Sequence, residues 1–211
     1  MKRMLIAVTV FLFLVGFMGT TGASTIKIDG LNAWTVVQYT YGGIGHTSYA
    51  GEFLLTIDGY HTSGYCMDLF DTTWVPSPTY YNIDLVTLDA VSVIDTNDFM
   101  NETVAAQAAW LMNEFGGRSA IENAALQLAI WDIMYPLFEY TGGGILDGII
   151  STYLTELGNK TYSGYEYMIV DFDPYAQDLL VKVPAPVPEP ATLILLGSGL
   201  IGLAGFRRKK S

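Results

Sequence analysis

A chain of 211 residues with a formal net charge of -11 is long enough for one domain with a substantial core plus terminal signals. Six of its ten basic residues (Lys2, Arg3, Arg207, Arg208, Lys209 and Lys210) lie at the extreme ends, so the body from Ser24 to Pro190 sets four bases against all 21 acids. Such a body repels nucleic acid and anionic lipid, and a single cysteine with two histidines excludes a disulfide framework and a thiolate zinc cluster, so neither metal nor cofactor is expected.

Met1-Lys2-Arg3 followed by the uncharged run Met4 to Phe17 has the basic start and apolar centre of an export signal, residues 1–23, with cleavage after Ala23. An uncleaved anchor helix is the alternative. The Tyr, Gly and Thr content with few charges then suggests an extracellular, strand-rich domain over residues 24–182. Ser24 to Leu31 reads as a strand ending at the turn signal Asp29-Gly30. Trp34 to Tyr41 reads as a second strand, Tyr41 to Gly45 as a flexible break, and Glu52 to Ile57 as a strand closed by Asp58-Gly59. Gly64 to Phe70, GYCMDLF, is strand-like and carries the only cysteine, Cys66. Residues two apart share a strand face, so Cys66 and Asp68 are expected on one side. The plainest role for a free strand cysteine is a small core hydrophobe.

Asp71 to Tyr81, with Pro76 and Pro78, reads as a loop, and Asp84 to Ile94 as extended. Asp95-Thr96-Asn97-Asp98 lacks the glycine and the acid spacing of an EF-hand calcium loop. It is better read as a helix entry, with Asp98 or Asn101 as cap. Thr103 to Phe115 is the first predicted helix, stopped by Gly116-Gly117. The second runs from Ser119 to Tyr135, opened by a Ser119–Glu122 capping box and closed by Pro136. Ala124, Ala125, Leu128, Trp131 and Tyr135 form one apolar stripe, and Leu126, Ile130 and Ile133 cover the other side. A helix apolar nearly all round is a buried one. Gln127 sits in its middle, and a buried amide costs about 1–3 kcal/mol unless its donors and acceptors are paired. A third helix is expected from about Ile145 to Leu157, and strand character from Thr161 to Leu180 with a turn at Asp173-Pro174. The class is α+β: strands before and after enclose a helical segment, Asn101 to Leu157, flanked by a signal peptide and a short membrane anchor. The Ser119–Tyr135 helix should pack against the strand carrying Cys66.

From Val183 the composition changes to a stiff proline-rich spacer, residues 183–190. Residues 191–206 are uncharged, and as a helix would span roughly 24 Å against a hydrocarbon core of about 30 Å, a marginal anchor. The basic end, 207–211, including Arg207 and Arg208, would stay cytoplasmic. Val187-Pro188-Glu189-Pro190, the short apolar span and the basic end together resemble the PEP-CTERM sorting signal of Gram-negative bacteria. The resemblance implies a membrane enzyme, exosortase, as processing partner. It also implies inner-membrane anchoring during sorting and delivery to the cell surface or the extracellular polymer matrix.

A second resemblance lies in the body. Tyr65-Cys66-Met67-Asp68 and Gln127-Leu128-Ala129-Ile130-Trp131 resemble the two halves of the thioester domains of bacterial surface adhesins. In those domains a cysteine in an aromatic-Cys-x-Asp setting is joined to the glutamine of a TQxA-type helix motif. Leu126 stands where that motif has threonine. The resemblance implies a Cys66–Gln127 thioester supported by Tyr65, Asp68 and Trp131, and single-use capture of an amine-bearing partner rather than enzymatic turnover. Residue chemistry alone leaves other readings open. Cys66 and Gln127 are equally an inert thiol and a paired core amide, or Cys66 is an enzyme nucleophile with His61 or His46 as base. The third is a noncovalent matrix protein whose tyrosines, tryptophans and acids contact polysaccharide or calcium.

Overall fold

The computed structural model of the chain describes residues 24–93, 100–172 and 177–184. The predicted signal peptide, the Asp95–Asp98 segment, the Asp173-Pro174 turn, the apolar anchor and the sorting residues Val187, Pro188, Glu189, Pro190, Arg207 and Arg208 lie outside the described residues. Among those described, no helix is long and apolar enough to cross a membrane.

Two long strands lay down the frame. β1 (Ser24–Tyr41) and β2 (Ile44–Ile57) pair antiparallel from Ile26 opposite Ile57 to Tyr41 opposite Ile44. They join at Gly42 and Gly43, whose φ angles of 57° and 81° suit glycine. The turn expected at Asp29-Gly30 is not there. The strand runs on and absorbs the irregularity as register shifts at Ile28/Gly30 and Asn32/Trp34. The reason is lateral: the Asp29 carboxylate accepts from Thr56 Oγ1 on β2 at 2.6 Å and from Lys27 Nζ at 2.9 Å, which holds the shifted segment in the sheet.

β3 (Tyr60–Cys66), β4 (Tyr81–Thr87), β6 (Tyr167–Asp171) and β7 (Leu179–Lys182) complete an antiparallel ring in the order β2-β3-β7-β6-β4-β1, which closes because β1 also pairs β2. β5 (Phe138–Tyr140), which the sequence pattern did not suggest, adds to the far end of β1. The extended run expected over Asp84 to Ile94 stops at Thr87 and continues as a 3-10 turn, Leu88–Val93. The expected strand from Gly64 to Phe70 ends at Cys66. Gly64 is required there, because a Cβ would lie 2.7 Å from the Leu180 carbonyl oxygen of β7.

Three helices follow β4 and precede β6, as the α+β reading requires: α1 (Glu102–Phe115), α2 (Ala120–Met134) and α3 (Ile145–Leu157). Of the two candidate caps for α1 it is Asn101 whose side chain accepts from the N–H groups of Thr103 and Val104. The capping box of α2 forms, with Glu122 Oε2 accepting from the Ser119 N–H at 3.2 Å and its hydroxyl at 2.6 Å. α2 packs against β1 and β2 on one side and against α1 and α3 on the other. Every residue from Asn123 to Trp131 is therefore buried, which is what an all-round apolar helix demands.

Candidate functional site

The site is built where α2 passes the end of β3. Residues Asn123, Gln127, Trp131 and Tyr135 are spaced four apart and form one ridge along the helix. That ridge runs beside Tyr65 to Leu69. The Tyr65 hydroxyl donates to Asn123 Oδ1 at 2.9 Å. The Cys66 N–H donates to Gln127 Oε1 at 2.9 Å, and Gln127 Nε2 donates back to the Cys66 carbonyl oxygen at 2.7 Å. At the far end the Tyr135 hydroxyl donates to the Met67 carbonyl at 3.2 Å and accepts from the Leu69 N–H at 3.3 Å.

The reciprocal pair at Gln127 has a topological cause. β2 pairs β3 only from Tyr60 to Gly64, while β7 continues opposite Gly64, Tyr65 and Cys66. Among the described residues no strand neighbours the outer edge of β3 beyond Gly64, and the Gln127 amide occupies that place as a one-residue substitute for a strand peptide. Both polar atoms of the buried amide thereby have a partner. Structure thus brings Cys66 and Gln127 together, with Tyr65, Trp131 and Asp68 around them.

The thiol is enclosed, and Cys66 is 2% exposed. Its sulfur is turned along its own chain, donating to the Asp68 carbonyl oxygen at 2.7 Å and accepting from the Asp68 N–H at 3.3 Å. Burial pushes the thiol pKa far up, the Asp68 N–H that donates to the sulfur opposes this, and the Asp68 and Asp178 charges add to the rise. The expectation that Cys66 and Asp68 share a strand face is corrected here. The strand ends at Cys66, and the Asp68 carboxylate instead caps the following turn, accepting from Phe70 N–H at 2.8 Å and Asp71 N–H at 3.4 Å. It is backbone at Asp68 that touches the sulfur.

Burial, with the Asp71 carboxyl adding to it, also raises the Asp68 pKa above 3.8. A carboxyl whose folded pKa is raised gives up stability as pH climbs through the folded value, and the cost is absent below the unfolded value. Asn at this position keeps the acceptor oxygen of the turn and loses the charge. Asp68→Asn should therefore be more stable than the parent at neutral pH, with the advantage vanishing below about pH 4. Urea midpoints that differ equally at all pH values would contradict this.

Neither histidine has a hydrogen bond to Cys66. His61 Nδ1 meets Thr56 Oγ1 at 3.0 Å, and Thr56 in turn donates to Asp29. His46 is exposed and stacks on Tyr39, ring centroids 5.2 Å apart. A cysteine nucleophile with a histidine base therefore finds no support in these contacts. Sequence reading missed Asn123 and Tyr135, although both share the four-residue spacing of Gln127 and Trp131.

Residues 186–209 match the family model of the PEP-CTERM protein-sorting motif. The match contains Val187 to Pro190 together with Arg207 and Arg208, and marks an exported protein that associates with the membrane during sorting and is processed by exosortase. It does not reach the body that holds Cys66 and Gln127. No curated protein and no solved structure matches the chain.

Proposed function

We propose that the exported body captures an amine-bearing surface or matrix partner through a Cys66–Gln127 thioester. The observation that carries this reading is the two-point docking of the Gln127 amide on the Cys66 backbone in a dry pocket. Docking holds the Gln127 amide against the backbone of the residue that bears the one thiol of the chain, and a turn of the Cys66 side chain toward the amide carbon would supply the proximity that an otherwise difficult acyl exchange needs. The Cys66 sulfur attacks the amide carbon Cδ. The C–N bond breaks, the thiol proton goes to the leaving nitrogen, and ammonia departs. Oxygen Oε1 stays in the product, and its bond to the Cys66 N–H polarises the thioester carbonyl. An incoming primary amine then attacks the same carbon, the C–S bond breaks, and the amine proton passes to sulfur. Gln127 ends as a secondary amide of the partner and Cys66 as a free thiol. Each molecule reacts once, so this is adhesion and not turnover.

The test is the intact mass of the exported protein with and without methylamine. The expected result is a mass short by one ammonia, converted to a single methylamine adduct at Gln127 with release of one thiol. A full mass with a free thiol from the outset would refute covalent capture.

A second reading, noncovalent attachment to polysaccharide, is favoured by a separate groove of about 400 Å³ beside β4 and α1. Asp89, Glu102, Thr103, Tyr162, Tyr165 and Tyr167 line it, a mixture of ring faces and polar groups suited to sugars.

A further inference from the structure

The thioester reading leaves the sulfur side of the reaction without an assigned residue. Three of the four ridge side chains on α2 spend their polar atoms on the segment 65–69: Asn123 on Tyr65, Gln127 on Cys66, and Tyr135 on Met67 and Leu69. Trp131 is the fourth. It stands between the Gln127 and Tyr135 contacts, only 2% exposed, and its Nε1–H has no hydrogen-bond partner. A buried donor left unsatisfied costs about 1–3 kcal/mol, so its retention calls for an acceptor that arises at another stage.

We propose that the Trp131 indole N–H is the hydrogen-bond donor that receives the Cys66 sulfur when the Cys66–Gln127 bond is made or broken. This rests on the thioester reading and completes it. In the closed bond the sulfur is neutral and a weak acceptor. When the amine attacks, the C–S bond breaks and its electron pair goes to sulfur, which becomes a strong acceptor until the amine proton reaches it. The charges that bear on the sulfur, Asp68 and Asp178, are both acidic and oppose that development. Two neutral donors work against them. The Asp68 N–H is already engaged at 3.3 Å. The indole lies close enough to pull the thiol pKa partly back down, yet in the resting geometry is unengaged. Charge-assisted bonds are roughly twice as strong as neutral ones, so Trp131 gains most at the moment the bond opens. The carbonyl oxygen is served by the Cys66 N–H and the sulfur by Trp131, one donor for each atom that takes up charge.

The experiment compares the full-length exported protein with Trp131→Phe, which keeps a flat aromatic ring and removes the donor. Both should first show a mass short by one ammonia. Opening by methylamine should then be about tenfold slower in the variant, the scale of one modest hydrogen bond. The defect should widen for less basic amines, for which expulsion of sulfur limits the rate, a dependence that a merely structural ring would not produce. Equal rates across the amine series would overturn the role of Trp131 and leave the thioester standing. A full mass in the parent protein would overturn the thioester and this inference with it. Should Trp131→Phe fold poorly or fail to close, the parent sequence decides. With its tryptophans replaced by 5-fluorotryptophan, a stronger N–H donor of nearly the same size, opening by weakly basic amines should be faster, and an unchanged rate would overturn the proposal.

Discussion

Cys66→Ala should lower the unfolding free energy of the exported protein by about 4 kcal/mol through loss of the cross-link, with roughly 1 kcal/mol more for the buried sulfur. The two positions are 61 residues apart, and closing a loop of that length restricts the unfolded chain far more than the folded one. Chain entropy for a cross-link of this span gives the 4 kcal/mol figure. The parent opened by methylamine supplies the internal control. It keeps the Cys66 thiol, exchanges the covalent bond for one methyl group on the Gln127 amide, and should fall by nearly the same amount. Urea unfolding of the three forms measures this. A Cys66→Ala loss of only about 1 kcal/mol, with no effect of methylamine, is the result for an uncross-linked core thiol.

The C-terminal sorting motif and the helices were legible because their signals are local. Ser119 and Glu122 cap α2 within four residues, Asn101 caps α1 through its own side chain, and the triple glycine before Ile145 sets where α3 begins. The strands were less legible. Asp29-Gly30 has the composition of a turn, and what keeps it extended is Thr56 on another strand, which no local pattern encodes. β2 was read at less than half its length because Ile44 to Gly51 has few apolar positions facing the core. Its pairing comes from β1. The three-residue β5 exists only as an addition to the end of β1. Ring closure is likewise a property of strands far apart in sequence, and periodicity cannot show it.

At the candidate site the sequence supplied a question more than an answer. Gln127 in an apolar helix had to find partners, and Cys66 was the only unusual group elsewhere. That they meet follows from α2 being buried against the end of β3. The manner of meeting was not legible. It is the Cys66 backbone that engages Gln127, because β2 turns away after Gly64 and leaves the edge of β3 open. Asp68 was placed on the wrong side by a two-residue periodicity that ceases to apply where the strand stops. Tyr135 was read only as the last member of the apolar stripe and Asn123 was not singled out, although the spacing of Gln127 and Trp131 ran through both.

Gln127→Ala should be the most damaging substitution in the body. It removes the cross-link, worth about 4 kcal/mol. It also strips the Cys66 N–H of the Oε1 acceptor that survives in the thioester and leaves a small cavity, adding about 2–4 kcal/mol. The sum approaches the total stability of an ordinary domain, about 5–15 kcal/mol, so the variant should be largely unfolded or poorly exported. The two contributions separate in a double-mutant cycle. If the bond exists, Cys66→Ala costs about 5 kcal/mol in the parent but only about 1 kcal/mol in a Gln127→Ala background, because the cross-link can be lost once. If Gln127 acts only as a substitute strand edge, the two losses add without coupling, since the thiol plays no part in that pairing. The coupling energy thus reports the covalent bond by itself, apart from the hydrogen bonds that position it.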